Sequence, residues 1–132
     1  NDRIREEFYS FLEAGEFGDG TIFAYTATTA AYTYGAEWLQ QMRMYIMENV
    51  RFVEEFMKLH LPKIKVYQPQ ASFLVWLDCR ELELSQDELG LALNDGSIFG
   101  PGGEGHMRLN IGCPRSVLDK AMNALKKAVD KK

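Results

Sequence analysis

The stretch "GEGHMRLNIGCP", from Gly103 to Pro114, carries an arginine in the middle of an alternating run of apolar and polar residues. Met107, Leu109 and Ile111 fall on one face and His106, Arg108 and Asn110 on the other, the two-residue period of a strand. A guanidinium offers two parallel N–H groups that fit a carboxylate, a fork that lysine lacks. Arg108 is therefore a candidate for holding a carboxylate ligand. Spacing alone favours a solvated strand face, because sheets commonly keep one side wet.

The residues just before it are Gly100, Pro101, Gly102, Gly103 and Gly105, with Gly96 close by. Such a turn needs unusual backbone angles and lets a ligand or another backbone come near. It is not a phosphate loop, for it lacks the Lys and Ser/Thr of that motif and leads into a strand rather than a helix. His60 falls at the end of a long helix, where the partial negative charge of the terminus suits it, and His106 flanks Arg108. Neither histidine has a Ser, Cys or metal-ligand set at a recognisable spacing. Asp78, Glu81 and Glu83 read as a solvated loop after a strand. No self-sufficient catalytic constellation and no metal site emerges.

These residues must be positioned by a chain of 132 residues, 46% hydrophobic, enough for one compact domain with a core. The net charge of −4 comes without any basic block or stripe, which argues against nucleic acid as a partner. No apolar run is long enough to span a bilayer, and the charged opening "NDRIREEFYSFLEAGEF" has none of the layout of a signal peptide. A cytoplasmic setting is the default, with no membrane partner. Cys79 and Cys113, far apart in sequence, read as buried thiols rather than a disulfide. The chain opens on Asn1 without a methionine, and a fragment of something longer is one reading of that.

The opening segment is an amphipathic helix with Ile4, Phe8, Phe11 and Leu12 at helical spacing. A Gly-rich break at "GEFGDGTIFAYT" precedes a long helix over 30–62, whose Leu39, Met42, Ile46, Val50, Val53 and Met57 recur at steps of three and four and which Pro62 stops. "KIKVYQP" and "ASFLVWLDCR" read as strands, the second apolar on both faces and so central in a sheet. "SQDELGLALND" reads as a short helix with a Ser85–Glu88 capping box and Gly96 at its end. "SIFG" then makes a strand, followed by the turn and the Arg108 strand. A last helix starts at Pro114, with Val117, Leu118, Ala121, Leu125 and Val129 facing inward. The expected class is α+β: a small, mostly antiparallel sheet covered by helices, one of them long.

The runs "QASFLVWLDCR" and "LALNDGSIFGPGGEGHMRLNIGCPRSVLDKAMNALKKAV" resemble the C-terminal part of fold-type I pyridoxal-phosphate enzymes. More narrowly they resemble the aminotransferase class I/II branch that includes cystathionine β-lyases and other C–S lyases. Upstream, "AAYTYGAEWLQQMRMYIMENVRF" is also similar, with a Tyr, a Gly, Trp-Leu and a later Tyr and Asn in the family's order. The resemblance covers nearly the whole chain.

It implies that Arg108 binds the substrate α-carboxylate and that Phe99 and Gly100 shape the small-domain side of the active-site entrance. It implies pyridoxal 5'-phosphate as cofactor, an amino acid as substrate and a homodimer for the parent protein. The family's cofactor-binding lysine sits in a large-domain segment, and Lys58, Lys63, Lys65 and Lys120 do not lie in that context. The resemblance thus makes residues 1–132 the small C-terminal domain and residues 1–30 a remnant of the segment joining it to a large domain. The chain alone would then be inactive, with Ile4, Phe8, Phe11 and Phe23 exposed or covered by another copy. β-Elimination and transamination both stay open, as does a stand-alone domain that binds a carboxylate ligand.

Overall fold

In the computed structural model, which describes residues 1–17, 20–82 and 93–131, the chain forms two compact units, Asn1–Gln40 and Gln41–Lys132. The first holds α1 (Asp2–Ala14), α2 (Ile22–Tyr34) and the start of α3 (Ala36–His60). Neither α1 nor α2 buries a residue, and Ile4, Phe8, Phe11 and Phe23 are 62, 56, 69 and 82% exposed, as expected for these four.

The helix expected over 30–62 is in fact two. Gly35 ends α2, and a Cβ there would lie 2.4 Å from the Ala31 carbonyl oxygen, so the break uses a backbone approach open only to glycine. The Gly-rich break is also shorter than expected, since helix begins at Ile22. Thr21 caps it, its hydroxyl accepting from the Ala24 N–H at 3.3 Å. A Thr- and Ala-rich helix that buries nothing has no polar–apolar period to reveal it.

The second unit is built on a four-stranded antiparallel sheet of order β1-β2-β4-β3, with β1 at Lys65–Tyr67, β2 at Leu74–Asp78, β3 at Asn94–Asp95 and β4 at His106–Asn110. One face is dry. Val75, Leu77, Met107 and Leu109 join Val50, Val53, Phe56 and Met57 of α3 and Leu118, Met122 and Leu125 of α4 (Arg115–Val129) in one core. Full burial of each such side chain contributes about 1.5–3 kcal/mol. The inner stripe of α4 differs from expectation at Val117, which is 52% exposed, while Met122 takes the buried position. In α3 the buried stripe starts at Asn49, and Leu39 is exposed.

Asn49 is the polar member of this interior. Its Nδ2 donates to the carbonyls of Ile111 at 2.9 Å and Cys113 at 3.1 Å, and its Oδ1 accepts from Arg115 Nε at 2.8 Å. The Tyr45 hydroxyl accepts from the Arg115 N–H at 2.6 Å, and the Arg115 guanidinium carbon sits 4.6 Å from the Phe52 ring centre. The end of β4 and the start of α4 are thereby locked to the middle of α3.

Two expectations around β3 change. The residues before Arg108's hairpin, Gly96–Phe99, form a 3-10 turn rather than a strand, and the strand is the shorter Asn94–Asp95. Asp95 caps that turn by accepting from the Ser97 N–H at 2.8 Å, which draws the chain out of the ladder. The short helix expected over 85–95 lies outside the described residues up to 92, as does Glu83.

Candidate functional site

The wet face of the sheet is where the polar residues gather. Strand register sets Tyr67, Trp76, Arg108 and Asn94 side by side across all four strands, and Lys65, Asp78 and His106 in the row two residues along. Residues directly opposite in a ladder share a face, so the alternation seen in "HMRLN" carries across the sheet.

Arg108 is half-buried in the first row. Its Nη2 donates to Asn94 Oδ1 at 2.8 Å, and its guanidinium carbon lies 4.6 Å from the centre of the Phe99 ring. Phe99 in turn meets Trp76 edge to face at 5.7 Å. The guanidinium thus has an aromatic ring on its face and an amide oxygen at one edge. Its Nε is fully buried and has no hydrogen-bond partner among the described residues, and no carboxylate there pairs with it. A charged donor left unsatisfied is expensive unless an acceptor arrives.

The glycine-rich turn holds Phe99 in place by close backbone packing. A Cβ on Gly96 would stand 2.2 Å from the Gly103 carbonyl oxygen, and one on Gly103 would stand 2.0 Å from that of Gly96. Gly100, directly after Phe99, has φ 118, in the region that favours glycine. The Cys79 N–H donates to the Gly105 carbonyl at 2.9 Å and ties the turn to the end of β2. Phe99 therefore stands at Arg108, with Gly100 directly after it in the chain.

In the neighbouring row Asp78 is not the solvated loop residue expected, for it is only 3% exposed. Arg80 clamps it: Nε donates to Oδ1 at 2.9 Å, Nη2 to Oδ2 at 2.7 Å, and the Arg80 backbone N–H to Oδ1 at 3.2 Å. These hydrogen bonds hold the Asp78 carboxyl well below the usual carboxylate range, against a burial effect of opposite sign. His106 lies flat against Trp76, ring centres 5.7 Å apart, with its Nε2 4.0 Å from Asp78 Oδ1. Since a carbonyl only accepts, its Nδ1–H donates to the Glu104 carbonyl at 3.1 Å. His106 therefore packs the row beside Arg108, as a flanking residue.

The remaining candidates are elsewhere. Glu81 is exposed and accepts from Lys65 Nζ at 2.6 Å. His60, at the end of α3, packs on Phe56 with ring centres 4.6 Å apart and has Lys126 Nζ 3.4 Å from its Nδ1. Cys79 is buried, and burial pushes its thiol up to about 11, while Cys113 is half-buried; both are free thiols. No group of His, Cys, Asp and Glu fit for a metal exists among the described residues. An apolar cleft of about 340 Å³ between α3 and the 69–73 turn, lined by Met42, Ile46, Val50 and Phe73, does not include Arg108.

Asn94 and Trp76 are the site residues that sequence reasoning missed. Trp76 lies in a strand read as apolar on both faces, and its pairing with Arg108 needed the register. Asn94 was hidden inside a segment read as helix.

Residues 3–125 match the family model of aminotransferase class I and II. Cystathionine beta-lyase PatB of Bacillus subtilis (strain 168) is 39% identical over 97% of this chain and 35% of its own length. Cystalysin of Treponema denticola, whose crystal structure contains a pyridoxal 5'-phosphate cofactor, superposes with a TM-score of 0.86 at 28% identity, over 99% of this chain and 35% of that one. The PLP-bound C-S lyase of Staphylococcus hominis, in complex with L-cycloserine, gives 0.84 at 27% identity over 96% of this chain and 36% of that one. The chain thus spans about a third of the length of the relatives it matches. The chain belongs to the aminotransferase class I and II family.

Proposed function

We propose that the parent protein is a pyridoxal-phosphate-dependent C–S lyase acting on an amino acid, and that Arg108 binds the substrate α-carboxylate. The observation that carries this reading is a half-buried guanidinium with its face and one edge supported, yet with no carboxylate partner among the described residues. A substrate carboxylate would supply the missing negative charge, and two charge-assisted hydrogen bonds would fix the substrate's orientation. β-Elimination is preferred to transamination because two of the similar proteins are a cystathionine beta-lyase and a C-S lyase.

The described residues of this chain do not fit a complete cofactor site. Lys65, the lysine on the outer face of the sheet, is held in its charged form by its hydrogen bond to Glu81, and no lysine lies on β2, β3 or β4. A neutral, reachable amine is what a carbonyl cofactor requires. In this reading the cofactor is held by the rest of the parent and supplies the electron sink, while residues 1–132 supply substrate orientation as its small domain. Residues 1–30 lead in from the large domain, whose contact explains the exposed aromatic side chains of α1 and α2. The parent is a cytoplasmic homodimer, and light scattering of the purified full-length protein checks the dimer.

Replacing Arg108 by Lys in the full-length holoenzyme tests the assignment. The fold and cofactor content should be retained, while kcat/KM for cystathionine falls about a hundredfold, since the charge survives and the fork does not. An unchanged kcat/KM in a folded, cofactor-loaded variant would return Arg108 to the solvated-face reading.

A further inference from the structure

We infer that Asn94 is the positioning residue of the carboxylate site, and that its neutral amide is what keeps Arg108 available to an anionic ligand. The inference rests on the assignment of Arg108 as the carboxylate binder. Asn94 is the direct ladder partner of Arg108 on β3, and its Oδ1 accepts from Nη2 at 2.8 Å. Phe99, carried by the turn that follows β3, covers the guanidinium face at 4.6 Å. Trp76, the ladder partner on the other side, backs Phe99 at 5.7 Å. Rotation of the guanidinium is thus restrained from the β3 side by one hydrogen bond and one ring.

The choice of an amide matters more than its size. An aspartate in that place would accept the same hydrogen bond, but as an ion pair it would neutralise the guanidinium and compete with the substrate for it. An alanine would release the side chain and leave the charge free. Asn94 sits at the exposed edge strand, so its removal costs little packing. The two substitutions therefore separate positioning from structure. A residue needed only for shape tolerates the isosteric Asp better than Ala, whereas a residue that keeps the cation unpaired tolerates Ala better than Asp.

The experiment compares Asn94→Asp, Asn94→Ala and Arg108→Lys in the full-length holoenzyme. Propionate serves as a carboxylate probe through its competitive inhibition constant, alongside KM and kcat for cystathionine. We expect Asn94→Asp to raise the propionate inhibition constant and KM about tenfold or more with a smaller change in kcat, and Asn94→Ala to raise them about threefold. If Arg108→Lys weakens propionate but Asn94→Asp harms no more than Asn94→Ala, the inference is overturned and the assignment of Arg108 stands. If Arg108→Lys leaves propionate binding unchanged, the assignment falls and the inference with it. Should Asn94→Ala fail to fold by circular dichroism, Asn94→Ser replaces it in the same ordering.

Discussion

The two faces of one sheet follow opposite rules. On the inner face Val75, Leu77, Met107 and Leu109 belong to the apolar core, and the buried polar group on that side, Asn49, places both its amide nitrogen and its oxygen in hydrogen bonds to the protein. On the outer face Arg108 keeps a buried Nε without a partner among the described residues. Asn49 and the Nε of Arg108 are both polar and withdrawn from water. The difference is whether the protein itself has filled their hydrogen-bonding capacity, and that separates a group that holds the fold from one that awaits a ligand.

The largest effects should come from the inner face. Leu77 is fully buried on central strand β2, and Leu77→Ala should lower unfolding free energy by about 3 kcal/mol in a urea titration. Phe23→Ser, on α2 where nothing is buried, should change it by less than about 0.5 kcal/mol in this chain. Equal losses in the two variants would mean that the core has been wrongly drawn. Asn49→Ala should come next, at about 2 kcal/mol, because it strands the Ile111 and Cys113 carbonyls and Arg115 Nε together. A near-neutral result there would erase the contrast between a filled and an unfilled polar group.

A thiol count sharpens the same division without any free-energy measurement. Cys79 is 3% exposed with its thiol pushed up to about 11, so it should stay unlabelled by iodoacetamide at pH 8 while the half-buried Cys113 reacts. Both should label in urea. Mass spectrometry of the peptides reads this directly, and rapid modification of Cys79 in the folded chain would contradict the packing at the end of β2.

Much of the sheet could be read in advance, and the reasons for the failures are physical. β2 was legible as a short continuous apolar run and β4 through the period-two alternation of Met107 and Leu109 with His106, Arg108 and Asn110, and the outward parity of Arg108 followed from the second signal. β3 was not, because Asn-Asp has poor strand propensity and pairs only through the ladder that Arg108 offers from elsewhere in the chain. Asn94, the ladder partner of Arg108 on β3, was therefore invisible even though the direction of Arg108 was not. Asp78 was misread for a related reason: a carboxylate at a strand end is usually wet, and only the return of the Arg80 guanidinium onto it, two residues on, makes burial tolerable. The role that the resemblance implies for Arg108 supplied what local periodicity lacked, namely a motive for the arginine.

The smallest expected effect belongs to that Asp78–Arg80 clamp, and it gives the outer face a pH signature that the inner face lacks. Asp78 has an ordinary value of 3.8 when unfolded, and in the folded chain the Arg80 hydrogen bonds hold it lower. Between those two values the unfolded chain binds a proton that the folded chain does not, so the stability contributed by the pair is complete above about pH 4 and is lost as pH falls through the folded value. The Arg80 side chain is 60% exposed, so solvent screening keeps the contribution modest. Urea midpoints measured from pH 7 down to pH 2 should fall less steeply below pH 4 in Asp78→Asn than in the parent sequence. Leu77→Ala should instead give a curve displaced downward and parallel to the parent's, because no proton is bound or released at an apolar contact. Parallel acid limbs in the parent and Asp78→Asn would show that the carboxylate is not held by Arg80 in solution, and the row beside Arg108 would then lack its electrostatic anchor.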